Sequence, residues 1–300
     1  MVTLPGLEVV FIASPHAFHE EMVERALDQD LHIICEKPLS LSLEGIKHLR
    51  KKSSINQKLH VVNQQLPFFP QFVEVRRIIE QGEIGLPYFV RIAFQTDRLV
   101  VPGITWRWWF DELKGGGMVH AMASHFLKLL QYWFGPSINL INAYTSSVVD
   151  EISKNCGEKR PLKAESLFHA QMELQNGAVA DLFCTGVSYR ETQLEIGIYG
   201  TIGEIYYSSL HNKTVFYKFD SDGKRISKQL GQLSSLEKEE HKQSPFTIGF
   251  ENFVHELPKF LGNYHRALDD NRLTTFDDFY SQFQVVEAIR QSINANGVQH

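Results

Sequence analysis

The first 64 residues repeat one pattern: a short apolar run, a turn, then an amphipathic stretch. Residues 7–13 read LEVVFIA, a β-branched run closed by Ser14-Pro15. A continuous apolar run of this length suits a strand buried on both faces of a parallel sheet. Residues 16–30 then place Phe18, Met22, Ala26 and Leu27 at helical spacing. A second strand is expected at 32–35, closed by Glu36-Lys37-Pro38, and a helix at 42–52 with Ser42 as its N-cap. A third strand is expected at 59–63. Strand, helix, strand, helix, strand is the grammar of a doubly wound α/β sheet.

The pattern changes after Gln65. A helix is expected at 69–81, stopped by Gly82, and a strand at 87–96. An aromatic loop follows, with Trp106, Arg107, Trp108, Trp109 and Phe110. Gly115-Gly116-Gly117 opens a helix expected to run from 118 to 134. Strands then dominate, at 138–146, 166–174, 178–187, 193–199, 203–208 and 214–219, with Asn176-Gly177 as a hairpin turn. An exposed charged loop is expected at 234–243, and helices at 246–261 and 277–293. The expected fold class is therefore α/β: an incomplete Rossmann-like parallel sheet over 1–64, followed by an α+β domain over 65–300. The second domain carries a large, open, mostly antiparallel sheet with helices on one face.

Composition narrows the function classes. Lys and Arg number 30 against 35 Asp and Glu, a net charge of -5, and no long basic stripe exists. That balance argues against a general nucleic-acid binder. The basic run KHLRKK at 47–52 fits a helix end, where cations suit the dipole. Cys35, Cys156 and Cys184 are far apart and form no C-x-x-C pair, which argues against a metal ribbon or a disulfide framework. No apolar run approaches the ~20 residues of a membrane span. The N-terminal run lacks a basic flank and is interrupted by Glu8, so a strand and a cytoplasmic location are expected rather than a secretory leader.

Several stretches together resemble one family. Residues 10–40, VFIASPHAFHEEMVERALDQDLHIICEKPLS, resemble the fourth and fifth strands of the nucleotide domain in Gfo/Idh/MocA oxidoreductases, including the E-K-P tripeptide. GEIGLPYFVRIAF at 82–94 resembles the entry to that family's C-terminal domain. GGGMVHAMASHFLKLLQYWFG at 115–135 resembles its glycine-led catalytic helix. IYGTIGEIYY at 198–207 and the tail at 274–292 also fit. The resemblance implies an NAD- or NADP-dependent oxidoreductase acting on a sugar, a polyol or a related hydroxyl or keto compound. It also implies a small-molecule substrate and a dimer or tetramer packed through the C-terminal sheet. Six expected strands with few helices to cover them point to an oligomer as well.

The sequence departs from the family in two places. No G-x-G-x-x-G follows a strand, and the first strand here resembles the family's fourth. At roughly 30 residues per βαβ unit, the resemblance implies about 60 missing residues and impaired cofactor binding. On the glycine-led helix the family carries an Asp four residues and a Gly two residues before its His; here those positions are Ala121 and Ala123, before His125.

Hydride chemistry on a carbinol needs a group that takes the hydroxyl proton. Lys37 is one candidate. Pro38 holds it in extended backbone at the carboxyl end of a strand, where open α/β sheets bind ligands. A surface lysine at a strand end is the alternative. His125 is the second candidate, with a hydrogen-bonded core histidine as its alternative. His120 lies about 140° round the helix from His125, so the two form no metal pair. By the resemblance, Ser14, Pro15 and His19 pass beside the ribose and nicotinamide, Glu36 makes a ribose or backbone contact, and Asn63 offers a cofactor-side amide; a partly exposed helix histidine is the alternative for His19 and a structural salt bridge for Glu36. Trp106 and Arg107 resemble the family's W-R pair at the cofactor mouth. Trp108, Trp109 and Phe110 are expected to roof the domain interface. Alternatives to an enzyme are a non-catalytic relative used for binding or oligomerisation, and a sugar-binding module without redox chemistry.

Overall fold

A computed structural model describes residues 4–55, 57–149, 151–153, 159–230 and 244–295. It opens with β1 (Val9–Ile12), α1 (His19–Leu27), β2 (His32–Glu36), α2 (Leu43–Ser53) and β3 (His60–Asn63). The three strands form a parallel sheet in the order β1-β2-β3. The Ser42 hydroxyl accepts the Gly45 N–H at 3.0 Å, so the expected N-cap is in place.

Alternation within the strands splits the sheet's two faces between two helical layers. Ile33, Cys35 and Val62 face Val23, Ala26, Leu27, Ile46 and Leu49 of α1 and α2. Ile34 and Val61 face the other way, into a cluster with Phe68, Phe253, Phe260 and Ala267. The last three belong to α5 (Pro245–Gly262) and α6 (Tyr264–Ala267). The far end of the chain thus returns to cover the first sheet, a contact that local pattern does not reveal. Strand β3 is buried throughout. Strand β1 departs from its expected two-sided burial: Phe11 is 39% exposed, meeting Phe250 edge-on at 6.0 Å. Among the described residues β1 pairs with β2 alone, so its outer side has no strand to bury against.

The second sheet holds eight strands. They are β4 (Pro87–Gln95), β5 (Ile138–Ser146), β8 (Leu167–Leu174), β9 (Val179–Thr185), β10 (Gln193–Gly200), β11 (Gly203–Ser208), β12 (Lys213–Phe219) and β13 (Arg225–Leu230). Strands β6 (Glu151–Ser153) and β7 (Lys159–Pro161) form a separate hairpin. The order is β13-β12-β11-β10-β4-β9-β8-β5, antiparallel except for β4 against β9. Its inner face buries Val90, Ile92, Phe94, Leu182 and Ile196. These join α3 (Pro70–Glu80), α4 (Ser124–Phe134) and α7 (Phe276–Ala295) in the main core. The outer face carries Tyr88, Tyr144 and Tyr206, exposed by 57, 49 and 39%.

Asn176-Gly177 makes the expected hairpin, with Gly177 at φ +81° and the Asn176 side chain accepting the Ala178 N–H. Strand β13 escaped the sequence reading because RISKQL is charged and exposed, as sheet edges often are. The expected helix over 118–134 is two pieces: a π-turn over Val119–Ala123, then α4. The expected charged loop at 234–243 and Cys156 lie outside the described residues.

Candidate active site

The parallel register sets the site. Ile12 pairs with Cys35, and Cys35 with Val62, so the three strands end level. His16 and Lys37, in the turns that follow β1 and β2, and Asn63, the last residue of β3, therefore gather at the same edge of the sheet, where open α/β sheets form their ligand crevice. Beside that edge lies a cavity of about 210 Å³. Lys37, His16, Trp108, Glu165, Arg98 and Ala121 line it, together with the glycines 115–117.

Lys37 is half-buried. Its Nζ donates to the Ala121 carbonyl at 2.7 Å and lies 3.5 Å from the His120 carbonyl. Burial pushes its ammonium pKa down to about 8; Glu36 opposes this and Arg98 adds to it. Such an amine is neutral for much of the time near pH 8 and can take up a proton. Glu36 is committed: its Oε1 accepts the Asn63 Nδ2 at 2.6 Å, across the β2–β3 register. The Asn63 Oδ1 is buried with no partner.

His125 is 6% exposed, with Nδ1 unpartnered and its ring edge-on to Phe246 at 5.1 Å. Burial first, and Lys37 second, hold its pKa well below the usual value, so the ring is neutral. His125 does not line the cavity; it sits behind Lys37. His120 faces elsewhere, stacked on Phe283 at 6.0 Å. Among the described residues no three His, Cys, Asp or Glu side chains are arranged to hold a metal.

Several residues expected at the cofactor lie outside the lining of this cavity. His19 is fully buried, its Nδ1 2.7 Å from the Pro38 carbonyl and its Nε2 2.8 Å from the Ser14 carbonyl. The His19 ring thus bridges the two strand-end turns, with a main-chain carbonyl beside each nitrogen. Ser14 and Pro15 form the first of these turns, outside the cavity lining. The Trp106 ring meets the cations of Arg160, at 4.8 Å, and Lys114, at 6.0 Å. Arg107 lies over the Trp109 ring at 5.0 Å. Neither Trp106 nor Arg107 reaches the cavity; the neighbouring Trp108, Trp109 and Phe110 do. These three rings sit on one short 3-10 turn, Trp108–Phe110, which composition alone does not show.

Three wall residues were missed in the sequence. His16 stands edge-on to Trp108 at 4.6 Å, with a buried, unpartnered Nδ1. Burial pushes its pKa down to about 3, with smaller contributions from Lys37, His19 and His120. Glu165 comes from the chain before β8 and is held against the helix start; burial raises its carboxyl pKa. Arg98 follows β4 and is exposed at the rim. A proline-flanked turn signal marked His16, but nothing local marked Glu165 or Arg98.

The triple glycine is no phosphate cradle. The N–H groups of Gly115, Gly116, Gly117 and Met118 donate to the carbonyls of Glu112, Asp111, Trp109 and Glu165, and that of Val119 to the Glu165 carboxylate. None of these donors is left for an anion.

Two family models match. Residues 1–64 match "Oxidoreductase family, NAD-binding Rossmann fold", and residues 72–206 match "GFO/IDH/MocA C-terminal domain". Oxidoreductase cns1 of Cordyceps militaris is 25% identical over 286 residues, 93% of this chain and 35% of its own length. Levoglucosan dehydrogenase of Pseudarthrobacter phenanthrenivorans is 25% identical over 73% of this chain and 60% of its own. The scyllo-inositol 2-dehydrogenase (NAD(+)) of Bacillus subtilis is 24% identical over 70% of this chain and 58% of its own. The chain therefore spans between 35% and 60% of the length of these curated relatives. Among solved structures, levoglucosan dehydrogenase in complex with NADH and L-sorbose superposes with a TM-score of 0.81 at 22% identity, covering 98% of this chain and 79% of that one. An NAD binding oxidoreductase from Klebsiella pneumoniae gives 0.84 at 20% identity, over 99% and 80%. At these identities the structural likeness speaks for the fold.

Proposed function

The chain belongs to the Gfo/Idh/MocA oxidoreductase family, and on that premise we propose that it serves NAD(P)-linked oxidation or reduction at a carbinol or carbonyl carbon of a sugar, a polyol or a related compound. The observation that carries this reading is Lys37. Its amine stands at the carboxyl end of the parallel strands, in an aromatic-walled cavity, with a pKa brought down to about 8. The family relatives named for levoglucosan and scyllo-inositol set the substrate class to test.

The residues present suit the nicotinamide half of the cofactor. The orphaned Asn63 Oδ1 and His16 Nδ1 are buried polar atoms at the strand-end crevice, and a carboxamide or ribose would satisfy them. Trp108 supplies a flat wall. When bound, the nicotinamide supplies or accepts the hydride. The chain's own part is acid–base and steric. In the oxidative direction, neutral Lys37 accepts the hydroxyl proton as the carbinol carbon loses hydride; in the reverse direction its ammonium returns it. The Ala121 carbonyl holds the amine in place, and neutral His125 behind it adds no competing charge.

The pyrophosphate is another matter. In this fold it rests on a glycine turn at a helix N-terminus, and the 300 residues contain no such motif after a strand. We therefore assign this polypeptide weak dinucleotide affinity. We also assign residues 1–64 to the cofactor side and 65–300 to substrate binding and oligomerisation, in a reducing, cytoplasmic setting that keeps buried Cys35 and Cys184 as thiols. Calorimetric titration of the 300-residue chain with NAD and NADP, followed by assay with levoglucosan and inositols, tests the reading. Dissociation constants near or above about 1 mM are expected, against about 1 μM for a complete cradle. Micromolar binding would mean that the dinucleotide is held without a glycine turn. No nicotinamide-linked turnover of any polyol at saturating cofactor would sink the dehydrogenase reading itself.

A further inference from the structure

Lys37 owes its position to a turn that is not regular helix. Over Val119–Ala123 the backbone forms a π-turn, in which carbonyls are displaced from the α-helical ladder. Lys37 reaches two of them, those of His120 and Ala121. Glu165, from a different part of the chain, meets the start of this turn. Its main-chain carbonyl accepts the Met118 N–H at 3.0 Å, and its Oε1 accepts the Val119 N–H at 2.8 Å. These are donors that a helix start leaves without internal partners. The fit leaves no slack. Gly117 stands at φ +103°, and a Cβ there would lie 2.3 to 2.5 Å from the carboxylate oxygens of Glu165. The same carboxylate lines the cavity beside Lys37.

We propose that Glu165 is a positioning residue: by pinning the start of the π-turn it presents the Ala121 carbonyl to Lys37 and so fixes the amine in the cavity. The kinetic side of this rests on Lys37 as the proton acceptor; the structural side does not. The charged and titratable groups facing Lys37 are Glu36 at the end of β2, Arg98 after β4, His16 after β1 and His125 on α4. Glu165 acts on it through the turn, as a hydrogen-bond acceptor. Gln at 165 keeps an acceptor oxygen, Ala removes it, and Asp withdraws it by one methylene while keeping the charge.

The test is the protonation midpoint of Lys37 in the full chain. It is read from the Nζ resonance of isotopically labelled lysine, assigned by its loss in Lys37→Arg. Glu165→Ala and Glu165→Asp should each move the midpoint by about one pKa unit, and Glu165→Gln by less than about a third of that. The near-ultraviolet circular dichroism of the adjacent tryptophans reports that each variant is folded. If Glu165→Ala does not fold, Glu165→Asp carries the comparison. An unmoved midpoint in folded Ala and Asp variants overturns the proposal. So does a Gln variant that moves as far as Ala, because charge rather than the hydrogen bond would then be acting. Where turnover is measurable, Glu165→Ala should lower kcat about tenfold or more with a smaller change in KM. Absence of turnover in the unmodified chain bears on the dehydrogenase reading and leaves the titration to decide this one.

Discussion

At the scale of single residues, Lys37 and His125 are not equivalent. Lys37 lines the cavity with its amine held at 2.7 Å from a carbonyl, whereas His125 is buried behind it and held neutral by burial. Lys37→Met should therefore lower kcat about a hundredfold or more, within the usual range for a general acid–base group. His125→Ala should cost less, and steady-state kinetics at saturating cofactor decides between them. The pH dependence follows from the same group. Oxidation needs the neutral amine, so the oxidative rate should rise with pH and level off above about 8. A rate that falls through that range would remove Lys37 from the role. Ala121→Asp would place a carboxylate on the cavity wall beside the amine. It should raise the Lys37 midpoint, because an opposite charge favours the ammonium, and move the oxidative rise to higher pH. The E-K-P context made Lys37 legible in the sequence, because a proline-locked strand end has a defined direction. Glu165 was not legible: its partner, Val119, lies 46 residues away and no local pattern links them.

At the scale of elements, the notable joint is between α4 and the chain before α7. Lys128 on α4 is 4% exposed, and its Nζ donates to the Leu273 carbonyl. The next residue, Thr274, accepts the Val62 N–H at 2.8 Å, so the same segment docks on β3. Burial pushes the Lys128 pKa down to about 8, with Asp278 and Asp270 opposing. The folded state therefore releases this proton near pH 8, whereas the unfolded chain keeps it to about 10.4. Between those values the unfolded state binds more protons, and stability rises with pH. Lys37 adds to the same trend. Above about pH 10 the trend reverses, since burial raises the Tyr207 hydroxyl and the unfolded tyrosine ionises first. Urea denaturation at intervals from pH 7 to 10 should show this rise. Lys128→Met should flatten it, and an equally steep rise in that variant would exclude Lys128 as its source. Most elements were foreseeable because their periodicity is strong. The π-turn was not, since helical spacing does not distinguish a π-turn from an α-turn over one cycle, and β13 was not, since its charges mask its alternation.

At the scale of the whole molecule, the eight-stranded sheet packs its inner face on helices and leaves tyrosines on the outer one. We expect that outer face to pair with a second copy, giving a dimer or tetramer. Light scattering at micromolar concentration should report it, and Tyr144→Lys or Tyr206→Lys should weaken the assembly by placing charge in the contact. A monomer at that concentration would overturn the expectation. Among the described residues no helix is long and apolar enough to cross a membrane. By itself the sequence determined the alternation of strand and helix over 1–64, the strand-rich remainder, the hairpin at Asn176-Gly177 and the strand-end position of Lys37. These follow from side-chain period and from the backbone limits of glycine and proline, which act over a few residues. Only the tertiary structure decided that α5 and α6 cover the second face of the first sheet, that His19 bridges two turns, that Trp108 rather than Trp106 walls the cavity, and that Glu165 meets the start of the turn holding Lys37. Each of these joins residues far apart in the chain, and such contacts are chosen by packing and by the pairing of buried polar groups, which only the folded arrangement brings together.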